Sequence, residues 1–298
     1  YDLAYPAWGS SPDQQWEMQD KYPGVFGEFV WTGFDYIGEP TPYGGDLTGL
    51  RPGTRRYDQA KALLDKQNVT EVPSRSSYFG ILDLAGFKKD RFYAYQSKWR
   101  PELPMAHILP HWNWPERKGQ VTPVHVYTSG DEAELFLNGK SLGKKKKGQY
   151  EYRLRWDDVV YQPGELKVVA YKNGEKWAEN KVVTSGKASM LSASADHQEL
   201  AADGSDLVFI TVKIEDKNGN MVPRSSNLVN FSIQGPGSIV AVDNGDATSH
   251  DPFQVSYRKA YNGMCLVIVK ADKGASGSFT VKAESRGLKG AAVTVGIK

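Results

Sequence analysis

Val208-Phe209-Ile210-Thr211-Val212-Lys213-Ile214 places a branched apolar side chain at every second position, with Phe, Thr and Lys between them. A period of two lines all four on one face of an extended strand, whereas a helix would scatter them around its axis. The same stripe returns at Val229, Phe231 and Ile233, and again at Val293, Val295 and Ile297. Striped strands separated by turn residues predict an immunoglobulin-like β-sandwich over residues 186–298, without the Cys and Trp pair of an antibody domain.

The same character extends toward the N-terminus. Asn-Gly pairs at Asn138-Gly139, Asn173-Gly174 and Asn218-Gly219 supply the positive φ that hairpin turns need. Leu135, Leu137 and Leu142 flank one hairpin, and Leu166, Val168 and Ala170 line another. A smaller sandwich is predicted over residues 104–185, with a boundary at Ser185-Gly186-Lys187. Pro101, Pro104, Pro110, Pro115 and Pro123 cannot sustain a helix, so the approach to this sandwich reads as an extended linker. The run Lys144 to Lys147 reads as a solvated loop without function.

Residues 1–103 are different: they are rich in aromatics, among them Trp8, Trp16, Trp31 and Trp99. Val25-Phe26-Gly27-Glu28-Phe29-Val30-Trp31 is an apolar run of strand length that opens into a loop. Phe92, Tyr95 and Trp99 fall at helical spacing after Asp90, a candidate N-cap, and the helix must end before Pro101. Tyr57, Ala60, Leu63 and Leu64 suggest a second helix inside the long 40–77 loop, which either walls a pocket or covers strands passively. One strand, a loop and a helix cannot bury both faces of the strand, so this segment calls for a larger parallel sheet.

Composition removes several function classes. Of 298 residues 40% are hydrophobic and 24% charged, with 30 glycines and 16 prolines, which excludes disordered, collagen-like and disulfide-scaffold chains. A net charge of +2 offers no basic stripe for nucleic acid, and no apolar run approaches a membrane span. The single cysteine, Cys265, reads as a small buried hydrophobe, and the five histidines show no metal-ligand spacing, so no metal or cofactor is expected. Tyr1 at the first position suggests a removed leader or a piece of a longer protein.

Phe29-Val30-Trp31-Thr32-Gly33-Phe34-Asp35-Tyr36-Ile37-Gly38-Glu39-Pro40, with Ser76-Ser77-Tyr78-Phe79-Gly80-Ile81 and Phe92 to Trp99, resembles the end of the catalytic barrel in bacterial family 2 glycoside hydrolases of the β-galactosidase type. Glu134 to Gly143 and Pro163-Gly164-Glu165-Leu166 resemble the small sandwich that follows the barrel, and Asp243-Asn244-Gly245-Asp246-Ala247-Thr248-Ser249 resembles the C-terminal immunoglobulin-like domain. The fold this implies is mainly β: the end of a (β/α)8 barrel followed by two β-sandwiches, about the last third of a full-length enzyme. The implied activity is that of a retaining exo-glycosidase hydrolysing terminal β-galactosides.

Such enzymes use two glutamates about 5 to 5.5 Å apart. Neither motif is present, so no catalytic residue is assigned; the pair is expected upstream and the isolated chain is expected to be inactive. Glu28 reads as a barrel-end salt bridge. Trp31, by composition alone a plausible core residue, is implied by the resemblance to sit at the carboxyl end of the last barrel strand and floor a sugar. The resemblance also implies a cis peptide between Trp31 and Thr32. Asp35 and Glu39 could accept hydrogen bonds from sugar hydroxyls or simply tie down their loop. A carbohydrate substrate and a bacterial, periplasmic or secreted location follow from the same resemblance. A carbohydrate-binding or adhesion module, or sandwiches that brace the barrel or pair copies of the chain, is the competing reading.

Overall fold

The computed structural model describes residues 9–37, 51–66 and 76–298. Its first part holds α1 (Pro12–Lys21), β1 (Tyr36–Ile37), α2 (Arg55–Lys66), β2 (Ser76–Ser77) and α3 (Asp90–Trp99). α1 starts on a capping box: the Ser11 hydroxyl accepts from the Gln14 amide, Gln14 answers the Ser11 amide, and Pro12 takes the first turn. α2 is the helix expected inside the long loop, and β1 pairs antiparallel with β2. α3 also forms as expected, but Lys89 is its N-cap and makes no side-chain cap bond. Asp90 lies in the first turn, where its charge suits the helix dipole, and its carboxylate meets His107 Nε2 at 2.7 Å.

Residues 25–31 depart from expectation. They run outside any strand, with Phe26 and Phe29 fully exposed. An apolar run becomes a buried strand only where neighbours pair with it, and no described strand lies beside this one. Glu28 likewise finds the Trp16 indole N–H, at 3.0 Å, in place of a salt bridge; burial pushes its carboxyl up.

The middle sandwich packs β3 (Ala106–Leu109), β4 (Val124–Thr128) and β7 (Leu154–Trp156) against a sheet of β5 (Glu132–Leu137), β6 (Lys140–Lys146), β8 (Glu165–Lys172) and β9 (Glu175–Val183). Leu135, Leu166, Val168 and Ala170 are fully buried between the sheets. The proline-rich stretch is neither a linker nor extended throughout: turns follow Arg100, and a single 3-10 turn forms at Pro115–Arg117. The stretch supplies β3 and the fully buried Trp112, with a cis Leu109-Pro110 bond between them. The lysine run is no loop either: residues 144–146 end the edge strand β6, where Lys144 pairs with Glu132 and lies over Tyr171. Lys147 donates to the Thr128 carbonyl, and burial pushes its ammonium down to about 8.

The last sandwich pairs β10 (Met190–Ala195), β12 (Val208–Glu215), β16 (Met264–Ala271) and β14 (Gly237–Asp243) in one sheet. Facing it are β11 (Glu199–Leu200), β18 (Ala291–Ile297), β17 (Gly277–Glu284), β13 (Leu228–Gln234) and β15 (Tyr257–Lys259). β12 buries Val208, Ile210, Val212 and Ile214, so the opening stripe is the core face. Cys265 is fully buried in the same core, and burial pushes its thiol up to about 12. Asn138-Gly139 and Asn173-Gly174 turn with both residues at positive φ; at Asn218-Gly219 only the glycine does.

The three parts are tied by polar contacts. α1 docks on the middle sandwich through Asp13 and the nearly buried Arg153, and Trp16 packs edge-on against Tyr95 and Tyr152. Between the sandwiches, Arg224 grips both Glu116 oxygens at 2.7 and 2.8 Å, and Asp216 accepts from the Gly186 amide at 2.7 Å.

Candidate functional site

Trp31 stands at the edge of the first part, joined to Thr32 by a cis peptide. The backbone beyond it is held by residues 81 and 82. The Ile81 amide donates to Thr32 O at 3.1 Å, the Leu82 amide to Gly33 O at 2.9 Å, and the Asp35 amide to Leu82 O at 2.9 Å. Gly80 lets these segments approach, since a methyl there would overlap the Asp35 nitrogen and the Leu82 oxygen.

The indole itself is 71% exposed. Its Nε1 donates to the Tyr36 hydroxyl at 3.1 Å, with the rings edge to face at 6.3 Å, and Tyr36 leans in turn on Phe79. An indole held by its polar edge keeps its apolar faces available. Flat aromatic faces pack against the C–H face of a pyranose while polar groups around them meet its hydroxyls.

The two acidic candidates fare differently. Asp35 is buried at 4% exposure, and its carboxylate is used inside the fold. Oδ1 accepts from the Gly80 amide at 2.7 Å, and Lys89 Nζ reaches both oxygens at 2.8 and 3.0 Å while donating also to Tyr78 O. Of its two sequence readings, the geometry is that of a loop tie. Glu39 lies outside the described residues.

Tyr36 and Lys89 are the contributors that sequence reasoning missed. Tyr36 sits inside the quoted motif, where an aromatic five residues from a tryptophan could have been noticed. Lys89 is 54 residues from its partner and carries no local signal. Behind this framework sits Asp83, whose carboxyl is pushed up to about 6, mainly by burial and further by the Asp35 and Asp243 carboxylates, against amide donors at Phe87 and Ala85. Among the described residues no cluster of His, Cys, Asp and Glu is arranged to hold a metal ion.

A short segment of helices and strands with an aromatic ledge, docked on two largely antiparallel sandwiches, defines a mainly β multidomain architecture. Residues 191–294 match glycoside hydrolase family 2 C-terminal domain 5, and residues 119–178 match a domain of unknown function, DUF4982. The chain belongs to glycoside hydrolase family 2 and has the sequence and fold of the family's C-terminal region. It is 39% identical to beta-galactosidase BoGH2A of Bacteroides ovatus over 99% of this chain and 31% of that protein. It is 38% identical to a putative beta-glucuronidase of Formosa agariphila over 79% of this chain and 20% of that protein. The crystal structure of a beta-glycosidase from Bacteroides vulgatus superposes with a TM-score of 0.81 at 29% identity, covering 96% of this chain and 33% of that one. The chain therefore spans a third or less of the length of these relatives.

Proposed function

We propose that this chain is the C-terminal portion of a retaining exo-glycosidase that hydrolyses terminal β-galactosides, and that its first part is the end of the catalytic barrel. The chain's own share of the site is the Trp31 ledge. The observation that carries this reading is an exposed indole fixed through Nε1 to Tyr36, at the position where the family resemblance expects a sugar floor. The two glutamates of the reaction belong to the rest of the enzyme. Glu28 and Asp35 are both engaged within the fold and take neither role.

A β-galactoside is favoured over a β-glucuronide for two reasons. The relative matched over 99% of the chain is named a beta-galactosidase. A uronic acid also brings a carboxylate that needs a cation, and Lys89, which lies beneath this ledge, is committed to Asp35 and the Tyr78 carbonyl.

The chain alone should not turn over a chromogenic β-galactoside. In the enzyme that carries it, Trp31→Ala should lower kcat/KM by roughly 10- to 1,000-fold, about 1.4 to 4 kcal/mol of lost transition-state binding. Unchanged kinetics with an intact fold would overturn the assignment of Trp31, and a larger kcat/KM for the β-glucuronide would overturn the sugar.

A further inference from the structure

We propose that the last sandwich is a positioning element of the Trp31 site, acting through one contact: the Asp83 carboxylate seated on Gly245. The proposal rests on the reading of Trp31 as a sugar platform and extends it to a separate part of the chain, some two hundred residues further on.

Gly245 lies in the turn that follows β14, with φ at +79°. That turn is rigid. Asp243 Oδ1 accepts from the Asn244 amide at 2.6 Å and from Arg258 Nη2 at 3.3 Å. Asn244 Nδ2 donates to Lys259 O at 2.9 Å, and Asn244 Oδ1 accepts from the Asp246 amide at 3.0 Å. Asp243, Asn244 and Arg258 are all buried. The motif that the sequence singled out is thus a braced backbone corner, and its glycine is the point pressed against another part of the molecule. A methyl on Gly245 would overlap the Asp83 side chain, both oxygens included.

Asp83 passes this contact onward. Its Oδ1 accepts from the Phe87 amide at 2.8 Å, its own amide donates to Phe87 O at 3.0 Å, and its carbonyl accepts from Gly86 at 3.0 Å. The closed turn cannot shift without moving residues 81 and 82, whose amides hold Thr32 and Gly33 beside Trp31. The path from Gly245 to the indole therefore runs through packed atoms and backbone hydrogen bonds at every step. Alongside it the two parts stand apart, around an open groove of about 520 Å³ lined by Phe34, Leu82, Phe87, Phe209, Leu266 and Ile268. The seat of Asp83 on Gly245 sets the spacing there.

The test uses the full chain labelled with fluorotryptophan. The Trp31 fluorine resonance is assigned by Trp31→Phe; the buried Trp112 and Trp156 report that the middle sandwich is kept, and amide exchange protection along β12 and β16 reports the last sandwich. Gly245→Ala should shift the Trp31 resonance by more than its linewidth while leaving those of Trp112 and Trp156 in place. In an Asp83→Ala background, where the carboxyl group no longer sits on residue 245, the same Gly245→Ala change should leave Trp31 where it is. If Gly245→Ala costs the last sandwich its fold, Asp83→Glu applies the pressure from the other side and should shift Trp31 in its place. A Trp31 resonance that ignores both substitutions, or that moves equally in both backgrounds, overturns the proposal. Methyl β-galactoside titrated at the Trp31 resonance of the whole enzyme that carries this chain reads the platform separately: no sugar response with the coupling intact would defeat the proposed function and spare this inference, and the reverse pattern would defeat this inference alone.

Discussion

Removing the Asp35 carboxylate should loosen the whole frame beneath Trp31. Asp35→Ala strips the acceptor from the Gly80 amide, held at 2.7 Å, and an unpaired buried donor costs about 1 to 3 kcal/mol. It also leaves the Lys89 ammonium with the Tyr78 carbonyl as its remaining partner among the described residues. A fully buried ion pair broken from one side loses about 3 to 5 kcal/mol, but the Lys89 side chain is 29% exposed and can take up water, so its share is smaller. Together the two give about 3 kcal/mol. At 1.4 kcal/mol per tenfold, amide exchange at Gly80, Ile81 and Leu82 should accelerate on the order of 100-fold, read by hydrogen exchange of the intact chain. Asp35→Asn keeps an oxygen for Gly80 and loses only the charge, so about half of the effect should remain. Exchange within threefold of the parent in Asp35→Ala would refute the reasoning and would free Asp35 for a direct role with ligand.

Other outcomes follow from neighbouring features. Arg153→Ala removes a guanidinium that is 5% exposed, paired with Asp13 and stacked over Tyr127; the docking of α1 should weaken by about 2 to 3 kcal/mol, seen as lost exchange protection in residues 12–21. Leu166→Ala, at a fully buried position, should destabilise the middle sandwich by about 2 to 5 kcal/mol in denaturant unfolding. The Asp83 carboxyl, near 3.8 when unfolded and about 6 when folded, contributes stability that is complete below pH 4 and lost as pH rises through 6. The stability gained by Asp83→Asn should therefore grow between pH 4 and pH 7, and a difference flat in pH would contradict the folded-state value.

The sandwiches were legible because their signals are local. Alternation along residues 208–214 depends only on which face of one strand meets the core, and Asn138-Gly139 carries its turn preference in two adjacent residues. Residues 25–31 failed for the opposite reason: an apolar run is buried only where something pairs with it, and no single window contains that information. The lysine run was misread because the aromatic beneath Lys144, Tyr171, arrives from the second strand over, β8. At the site, Trp31 could be picked out by resemblance. Asp35 could not be separated from a ligand-binding acid, since the residue that claims it, Lys89, sits at the threshold of α3.

The state of Cys265 has a practical consequence for how such motions can be watched. A thiol buried among the β12 and β16 side chains, with its acidity pushed to about 12, offers almost no thiolate at neutral pH and no route for a reagent. The chain thus behaves in solution as though it were cysteine-free, while the sulfur goes on filling the core. A cysteine introduced at an exposed position, such as Phe26 or Tyr257, would be the sole reactive handle on the native protein, so spin labels or dyes could be attached without first replacing Cys265 and disturbing the sandwich that contains it.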